Sequence, residues 1–453
     1  MTEKNRRQDA RDKPRRSRNS SMKTPKPVSA ENGAPSVQPK RPKRLQRLTF
    51  ARAERQVRKL NRHARTARAL HEAPSSLSEK FVAGVALFEA NEAILRSYSA
   101  RLLAAREAIK DFDPREIEYS PAELARRMDA FAPCDEPVQL TLKPKPDGHF
   151  RPTLNFGVER RAQQILVRNL ISVQFGERPW DQKLFNGGTK AAIEQIKANY
   201  EEGYKFACHL DVVECFSSFN VEKVAQELSL PEEVANNVLT GQNFAIEHSS
   251  TIREDRVPFN SMNPRLSEEY LEKARRGLST GSKVSPLIAD VMLSLVHIAL
   301  VDVGDIKVTS FADNFMVQTR DRAMLRNAAH SLRDALQQHP AGPLGEHKVE
   351  TLLAPWDPFE FLGYHLEPNG TRLMVTMSRD NTERARLIRA NCYQELRAAI
   401  CEEEISNIVL ETDKKHRSLV YAFGAWTGRL RFHDKKMRKI RIFAKRALDA
   451  DAS

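Results

Sequence analysis

The run Val308-Thr309-Ser310-Phe311-Ala312-Asp313-Asn314-Phe315-Met316-Val317 constrains the fold more than any other part of this chain. β-Branched, aromatic and apolar residues flank a short polar centre, the pattern of a hairpin with Asp313 at its tip. A carboxylate there is poorly placed for a core and well placed to hold a metal at the floor of a cleft. Upstream, Phe206-Ala-Cys-His-Leu-Asp211-Val-Val-Glu-Cys-Phe216-Ser-Ser-Phe reads as a second apolar strand that ends in an acid. Two strand-borne aspartates that converge can hold two divalent cations, an arrangement used for in-line displacement at phosphorus.

The segments around these strands alternate between helix and hairpin. Ser76 to Asp111 carries Ala and Leu at helical spacing and few breakers, which predicts one helix. Pro121-Ala-Glu-Leu-Ala-Arg-Arg-Met predicts a short helix with Ser120 as its N-cap. Val138 to Leu154 reads as two strands about an Asp147-Gly148 turn. Helices are expected at Val158–Gln174, Lys190–Glu201, Val221–Leu228, Leu266–Arg276 and Arg322–Gln338, and a strand at Glu360–Leu366. Beyond about residue 380 the chain reads as helical and basic.

Length and charge set the organisation. A chain of 453 residues with 40% apolar content has room for two or three packed modules. The net charge is +14, which favours a polyanionic partner. That charge is concentrated at one end. Residues 1–70 hold 22 Lys and Arg against 5 Asp and Glu, and the remaining 383 residues are slightly acidic. Residues 1 to about 45 have the composition of a disordered segment, and 46–71 that of a basic helix. Either a solubilising tail or a nucleic-acid tether fits. Cys134, Cys208, Cys215, Cys392 and Cys401 lack zinc-site spacing and read as reduced residues, mostly in the core. The polar N-terminus carries no signal-peptide pattern. The longest apolar run, Ser285–Val303, is interrupted by Asp290, His297 and Asp302, so it reads as a buried helix. Together these features set the expectation of a cytoplasmic protein with no membrane span.

In order along the chain, several blocks resemble reverse transcriptases of the group II intron and retron kind. Lys143-Pro-Lys145-Pro-Asp-Gly-His-Phe-Arg151-Pro resembles that family's fingers hairpin, and Arg160-Arg-Ala-Gln-Gln-Ile-Leu and Phe185-Asn-Gly-Gly-Thr-Lys-Ala-Ala-Ile its next blocks. Leu210-Asp211-Val-Val-Glu-Cys-Phe216 resembles the first catalytic strand, and Gly277-Leu-Ser-Thr280-Gly281-Ser-Lys-Val-Ser-Pro the loop and helix beneath the nascent base pair. Phe311-Ala-Asp313-Asn314 stands where the family has an aromatic-x-Asp-Asp box. His347-Lys348-Val-Glu-Thr and Phe361-Leu-Gly-Tyr resemble the blocks after it. The resemblance implies an α+β right-hand polymerase, arranged as a basic, largely disordered tail (1–72), a helical extension (73–135), fingers and palm with an antiparallel sheet (136–370) and a helical thumb (371–453).

The same resemblance implies roles for residues. Asp211, Asp313, the Val212 carbonyl and Asn314 would face two Mg²⁺ ions, or Mn²⁺, together with substrate phosphates. Lys143, Lys145 and Arg151 would grip the triphosphate of a dNTP. Thr280 and Gly281 would lie against the incoming nucleotide. Lys348 would protonate pyrophosphate. Phe216 would sit under the sugar and exclude a 2′-hydroxyl, unless it is a packed core residue. The partners implied are an RNA template and a DNA or RNA primer.

Two departures from the family pattern stand out. Asn314 replaces the second aspartate, so one negative charge is missing and the metals are expected to bind more weakly. Thr280 stands where the family has Gln. The readings in play are an RNA-directed DNA polymerase, a weak or inactive relative that binds nucleic acid, and an RNA-dependent RNA polymerase. No endonuclease or zinc module follows the thumb, so the chain does not read as a complete mobile-element protein.

Overall fold

The computed structural model describes residues 43–73, 76–145, 149–175, 187–248, 264–300, 303–344, 347–399, 401–422 and 429–451. By contacts the chain divides into 1–47 and 48–453. Of the first unit only 43–47 is described; there residues 43–45, within the segment expected to be disordered, already belong to a helix, while 1–42, the Asp147-Gly148 turn and the start of the Phe185 block lie outside the described residues.

The N-terminal part is helical. Helix α1 (Lys43–Glu72) turns Ala53, Ala64 and Ala67 inward, and Phe50, Val57 and Leu60 pack on the main core. One continuous helix was expected over Ser76–Asp111. Instead α2 (Leu77–Arg96) and α3 (Tyr98–Ala108) are separated at Ser97. Ser97 is extended, with ψ of 120°, and its hydroxyl accepts from the Ala100 N–H at 3.4 Å. A serine satisfies a helix start as readily as it fits within a helix, so packing decides. Helix α4 (Pro121–Arg127) opens as expected on Ser120. That residue forms a capping box with Glu123: the Ser120 N–H donates to the Glu123 carboxylate at 2.8 Å, and the Glu123 N–H donates to the Ser120 hydroxyl at 3.3 Å.

Three small sheets follow. Strands β1 (Val138–Pro144) and β2 (Phe150–Phe156) form the expected antiparallel hairpin. Val138, Leu140, Leu142, Leu154 and Phe156 point into a local core with Phe244 and Tyr270. Helices α5 (Val158–Phe175) and α6 (Gly188–Glu201) lead to strand β3 (Phe206–Val212). Short helices α7 (Cys215–Ser218), α8 (Val221–Glu227) and α9 (Glu232–Val234) come next. Strand β4 (Ile246–His248), which the sequence did not announce, joins β1 in parallel. Helices α10 (Pro264–Arg275) and α11 (Ser285–Leu300) precede the Asp313 hairpin, β5 (Lys307–Phe311) and β6 (Asn314–Thr319). After α12 (Arg322–Gln337), strand β7 (His347–Leu353) completes a sheet of order β5-β6-β3-β7. Its contributing pairs are all antiparallel.

That central sheet is buried on both faces, and the period-two pattern of its strands shows how. Cys208, Leu210 and Val212 of β3, with Phe315 and Val317 of β6, enter the main core with α5, α11 and α12. Ala207 and Met316 face the other way, onto α6 and a third sheet. Fully burying a ring such as Phe315 stabilises by about 2–3 kcal/mol.

The third sheet corrects an expectation. Glu360–Leu366 is not one strand but two, β8 (Phe359–Phe361) and β9 (Tyr364–Asn369), which turn at Leu362-Gly363; β10 (Arg372–Met377) then pairs with β9. Leu362 takes a φ of 50°, so a leucine fills a turn position usually given to Gly or Asn. The division placed at residue 370 falls at the tip of the β9–β10 hairpin. Helices α13 (Arg379–Ala398), α14 (Glu402–Ala422) and α15 (Arg429–Asp451) close the chain. No helix among the described residues is long and apolar enough to cross a membrane.

Candidate active site

Register brings the two aspartates to one end of the central sheet. Asp211 of β3 lies opposite Asn314 of β6, so the β5–β6 turn projects just beyond it. The Val212 N–H donates to the Asp313 carbonyl at 3.1 Å, pinning the turn to the end of β3. Ala312 in that turn adopts a φ of 51°, a left-handed conformation unfavourable for a residue with a Cβ. Cys215, at the start of α7, gives a second indication that the acids converge. Burial first, then the charges of Asp313 and Asp211, push its thiol well above the ordinary range.

The third strand of this end is irregular. Asp211 pairs with Val349 and Val212 with His347, which leaves Lys348 as the extra residue of a β-bulge beside the aspartate. The backbone of Lys348 is therefore next to the site; its side chain lies outside the described residues.

Burial raises the pKa of Asp313 above the usual carboxylate range, against smaller lowering effects from its own backbone, Arg151 and Asn314. Arg151 belongs to β2, directly opposite Lys143 of β1, and both side chains are exposed. Opposed residues of an antiparallel pair project to one face, where two like charges repel unless an anion lies between them. Lys145 is half-buried, and its N–H donates to the His149 carbonyl at 2.8 Å. Arg151 acts on the charge of Asp313, so the β1–β2 hairpin lies within electrostatic reach of the β5–β6 turn.

Helix α10 ties β2 to the segment after β3. The Phe150 N–H donates to the Tyr270 hydroxyl at 3.2 Å, with the rings edge-to-face at 6.0 Å. One turn on, Lys273 pairs with Glu214 at 3.3 Å and Glu269 at 3.1 Å. Glu214 thus points to solvent and α10 rather than to the aspartates.

The loop after α10 runs between α7 and β2. The Leu278 N–H donates to the Phe216 carbonyl at 2.8 Å, and a Cβ on Gly277, whose φ is +59°, would come within 2.3 Å of that same oxygen. The Leu154 N–H donates to the Thr280 carbonyl at 2.9 Å, and a Cβ on Gly281 would meet the Leu154 carbonyl at 2.3 Å. Backbone meets backbone at both points, which only glycine permits. Thr280 and Gly281 are thereby seated against β2. Phe216 is half-buried and packs on the main core from beneath this loop.

Asn314 is placed differently from a simple metal ligand. Its Nδ2 donates to Asp313 Oδ1 at 3.2 Å, and its Oδ1 faces His209 Nε2, also at 3.2 Å. His209 escaped the sequence reading, where it passes for a strand residue packed in the core. The signal was its position two residues before Asp211, on the same face of β3.

Among the described residues no group of three or more His, Cys, Asp and Glu side chains gathers into a closed metal cage. The two aspartates that the register brings to this end make an open donor set. It fits Mg²⁺, which keeps several waters and takes one or two carboxylates plus substrate phosphates. The burial of Asp313 also fits, because a bound cation would offset the cost of its charge.

No family model matches the chain. No curated protein matches it either. Among solved structures the chain is similar to apo telomerase from Candida tropicalis truncated of its C-terminal domain, at 12% identity and a TM-score of 0.33 over 55% of this chain and 56% of that one. It therefore spans little more than half of that structure. It is also similar to telomerase from Candida albicans in complex with a TWJ fragment of telomeric RNA, at 12% identity and a TM-score of 0.34 over 84% of this chain and 73% of that one.

Proposed function

We propose that this chain is an RNA-directed DNA polymerase that transfers a nucleotide from a dNTP to a primer 3′-hydroxyl. The observation that carries the reading is the register that sets Asp211 beside the Asp313 turn, with Arg151 facing that turn from β2. Asp211, Asp313 and the Val212 carbonyl would hold two Mg²⁺ or Mn²⁺ ions, which when bound acidify the primer hydroxyl and stabilise the leaving pyrophosphate. In the transfer, the primer oxygen bonds to the α-phosphorus and the α–β bridging bond breaks.

The chain's own residues position that event. Arg151 and Lys143 take the triphosphate between them, relieving their mutual repulsion, with Lys145 nearby. The Thr280-Gly281 backbone forms the floor against which the incoming base rests. Lys348, beside Asp211 in the bulge, supplies the proton that pyrophosphate takes up. Phe216 restricts the space at C2′ and favours deoxynucleotides. Two other readings remain distinct in outcome: a catalytically weak binder of nucleic acid, and an RNA-dependent RNA polymerase.

Primer extension on RNA and DNA templates, with dNTP and NTP compared, separates the three. The expected result is dNTP addition on RNA, with Phe216→Ala raising ribonucleotide use relative to deoxynucleotide. Extension by NTP alone would favour the RNA polymerase. Tight binding of template-primer without extension in Mg²⁺ or Mn²⁺ would favour the binder.

A further inference from the structure

The Asn that interrupts the expected Asp-Asp pair has a specific environment. Its amide is held at both ends, Nδ2 on Asp313 and Oδ1 on His209. Reversing the amide would set an oxygen against the Asp313 carboxylate, so the orientation is determined by chemistry. Because Oδ1 only accepts, His209 must carry its proton on Nε2. An aspartate at 314 could accept from His209 but has no proton to give Asp313. The ring of His209 is fixed in turn: it stands edge-on to the buried Phe361 of β8, with centroids 5.0 Å apart and planes at 83°.

We infer that Asn314 is a hydrogen-bond coupler rather than a metal ligand, and that His209 is a positioning residue that orients the Asp313 carboxylate through it. The inference rests on the proposed reading of Asp211 and Asp313 as the metal-holding pair. It also accounts for the Asn. In this arrangement the amide holds one carboxylate in place, where a second carboxylate would repel it. Partners that orient a ligand in this way are usually worth 10- to 100-fold in metal affinity.

The test uses the full-length protein and Mn²⁺ alone, with binding followed by electron paramagnetic resonance. His209→Ala and Asn314→Ala should each weaken Mn²⁺ binding about tenfold, and the double variant should lose little more than either one. His209→Gln, which keeps a donor near the Nε2 position, should bind close to wild type. Multiplying losses, an unaffected His209→Ala, or an Asn314→Ala loss as complete as that of Asp313→Asn would overturn the inference. Asp211→Asn and Asp313→Asn serve as the separate check. If wild-type binding is missing or indifferent to both changes, the metal-site reading itself fails. A second readout needs neither metal nor alanine variants. In ¹⁵N-histidine NMR of the metal-free protein, with His209 assigned by its loss in His209→Gln, the proton should reside on Nε2. A proton on Nδ1 would contradict the coupler.

Discussion

Two polar clusters, one half-buried at the end of the central sheet and one around buried histidines of the last three helices, differ in how their charges are met. Between α13, α14 and α15, Arg389 donates to His416 Nε2 at 2.9 Å, and His416 and His433 share a proton between their Nδ1 atoms at 2.7 Å. His433 Nε2 then reaches Asp413 at 3.3 Å, and Arg417 and Arg441 hold the same carboxylate at 3.0 and 3.3 Å. The two rings stack with centroids 5.0 Å apart. Burial, then the Arg389 charge and His433, lowers the His416 pKa to about 4, so at neutral pH His416 is uncharged and can accept from Arg389 while the Asp413 carboxylate is met by two arginines. Asp313 is the opposite case. Burial works against its charge, and among the described residues the cation that acts on it is Arg151 of β2. A cluster that satisfies itself rigidifies a fold. One whose charge is left for something else to meet is a place for a ligand.

That contrast can be broken by substitution. The largest effect belongs to the helical cluster. His433→Ala removes a buried ring and leaves both His416 Nδ1 and a lone pair of Asp413 without their partner, which should cost about 3 kcal/mol in a urea titration. Mn²⁺ binding that depends on Asp211 and Asp313 should be unchanged. A loss under about 0.5 kcal/mol would show that the network is not structural.

The smaller effect has the opposite sign. Asp313→Asn keeps an acceptor for Asn314 and removes a partly desolvated charge, so the metal-free protein should gain stability, on the order of 1 kcal/mol. The pH dependence follows from the direction of the Asp313 shift. Its folded-state pKa lies above the ordinary 3.8, so the folded protein holds that proton more tightly than the unfolded chain. The wild type therefore loses stability relative to the variant as pH rises from the ordinary value through the raised one. The variant's advantage should be absent below pH 3.8 and should grow as pH rises through the raised value. Equal thermal midpoints at neutral pH would mean the carboxylate is already well compensated.

The two clusters also differ in how legible they were. The Asp313 hairpin and β3 could be read because alternating apolar residues end in an acid, and a turn with strands on both sides fixes what faces the cleft. The β1–β2 hairpin and the Ser120 cap were legible for similar local reasons. The approach of Arg151 to Asp313 was implied by the family resemblance alone and not by any local pattern, since it depends on Tyr270 and Lys273 of α10 reaching Phe150 and Glu214. β4 is three residues long and pairs with a strand distant in sequence, and β7 begins with the polar His347-Lys348. Neither carries a periodic signal. His416 and His433 lie on different helices, and nothing in their spacing foretells a shared proton. His209 was hidden because a histidine within an apolar strand usually only packs.

The most direct measurement of the central claim is single-turnover extension of an RNA-templated primer by the wild type, Asp211→Ala and Asp313→Ala, with folding of each checked by thermal midpoint. The expected result is dNTP addition by the wild type and a loss of at least about 10³-fold, roughly 4 kcal/mol of barrier, in each folded variant. A variant that extends at near wild-type rate, or a wild type that adds no nucleotide to any template with Mg²⁺ or Mn²⁺, would contradict it.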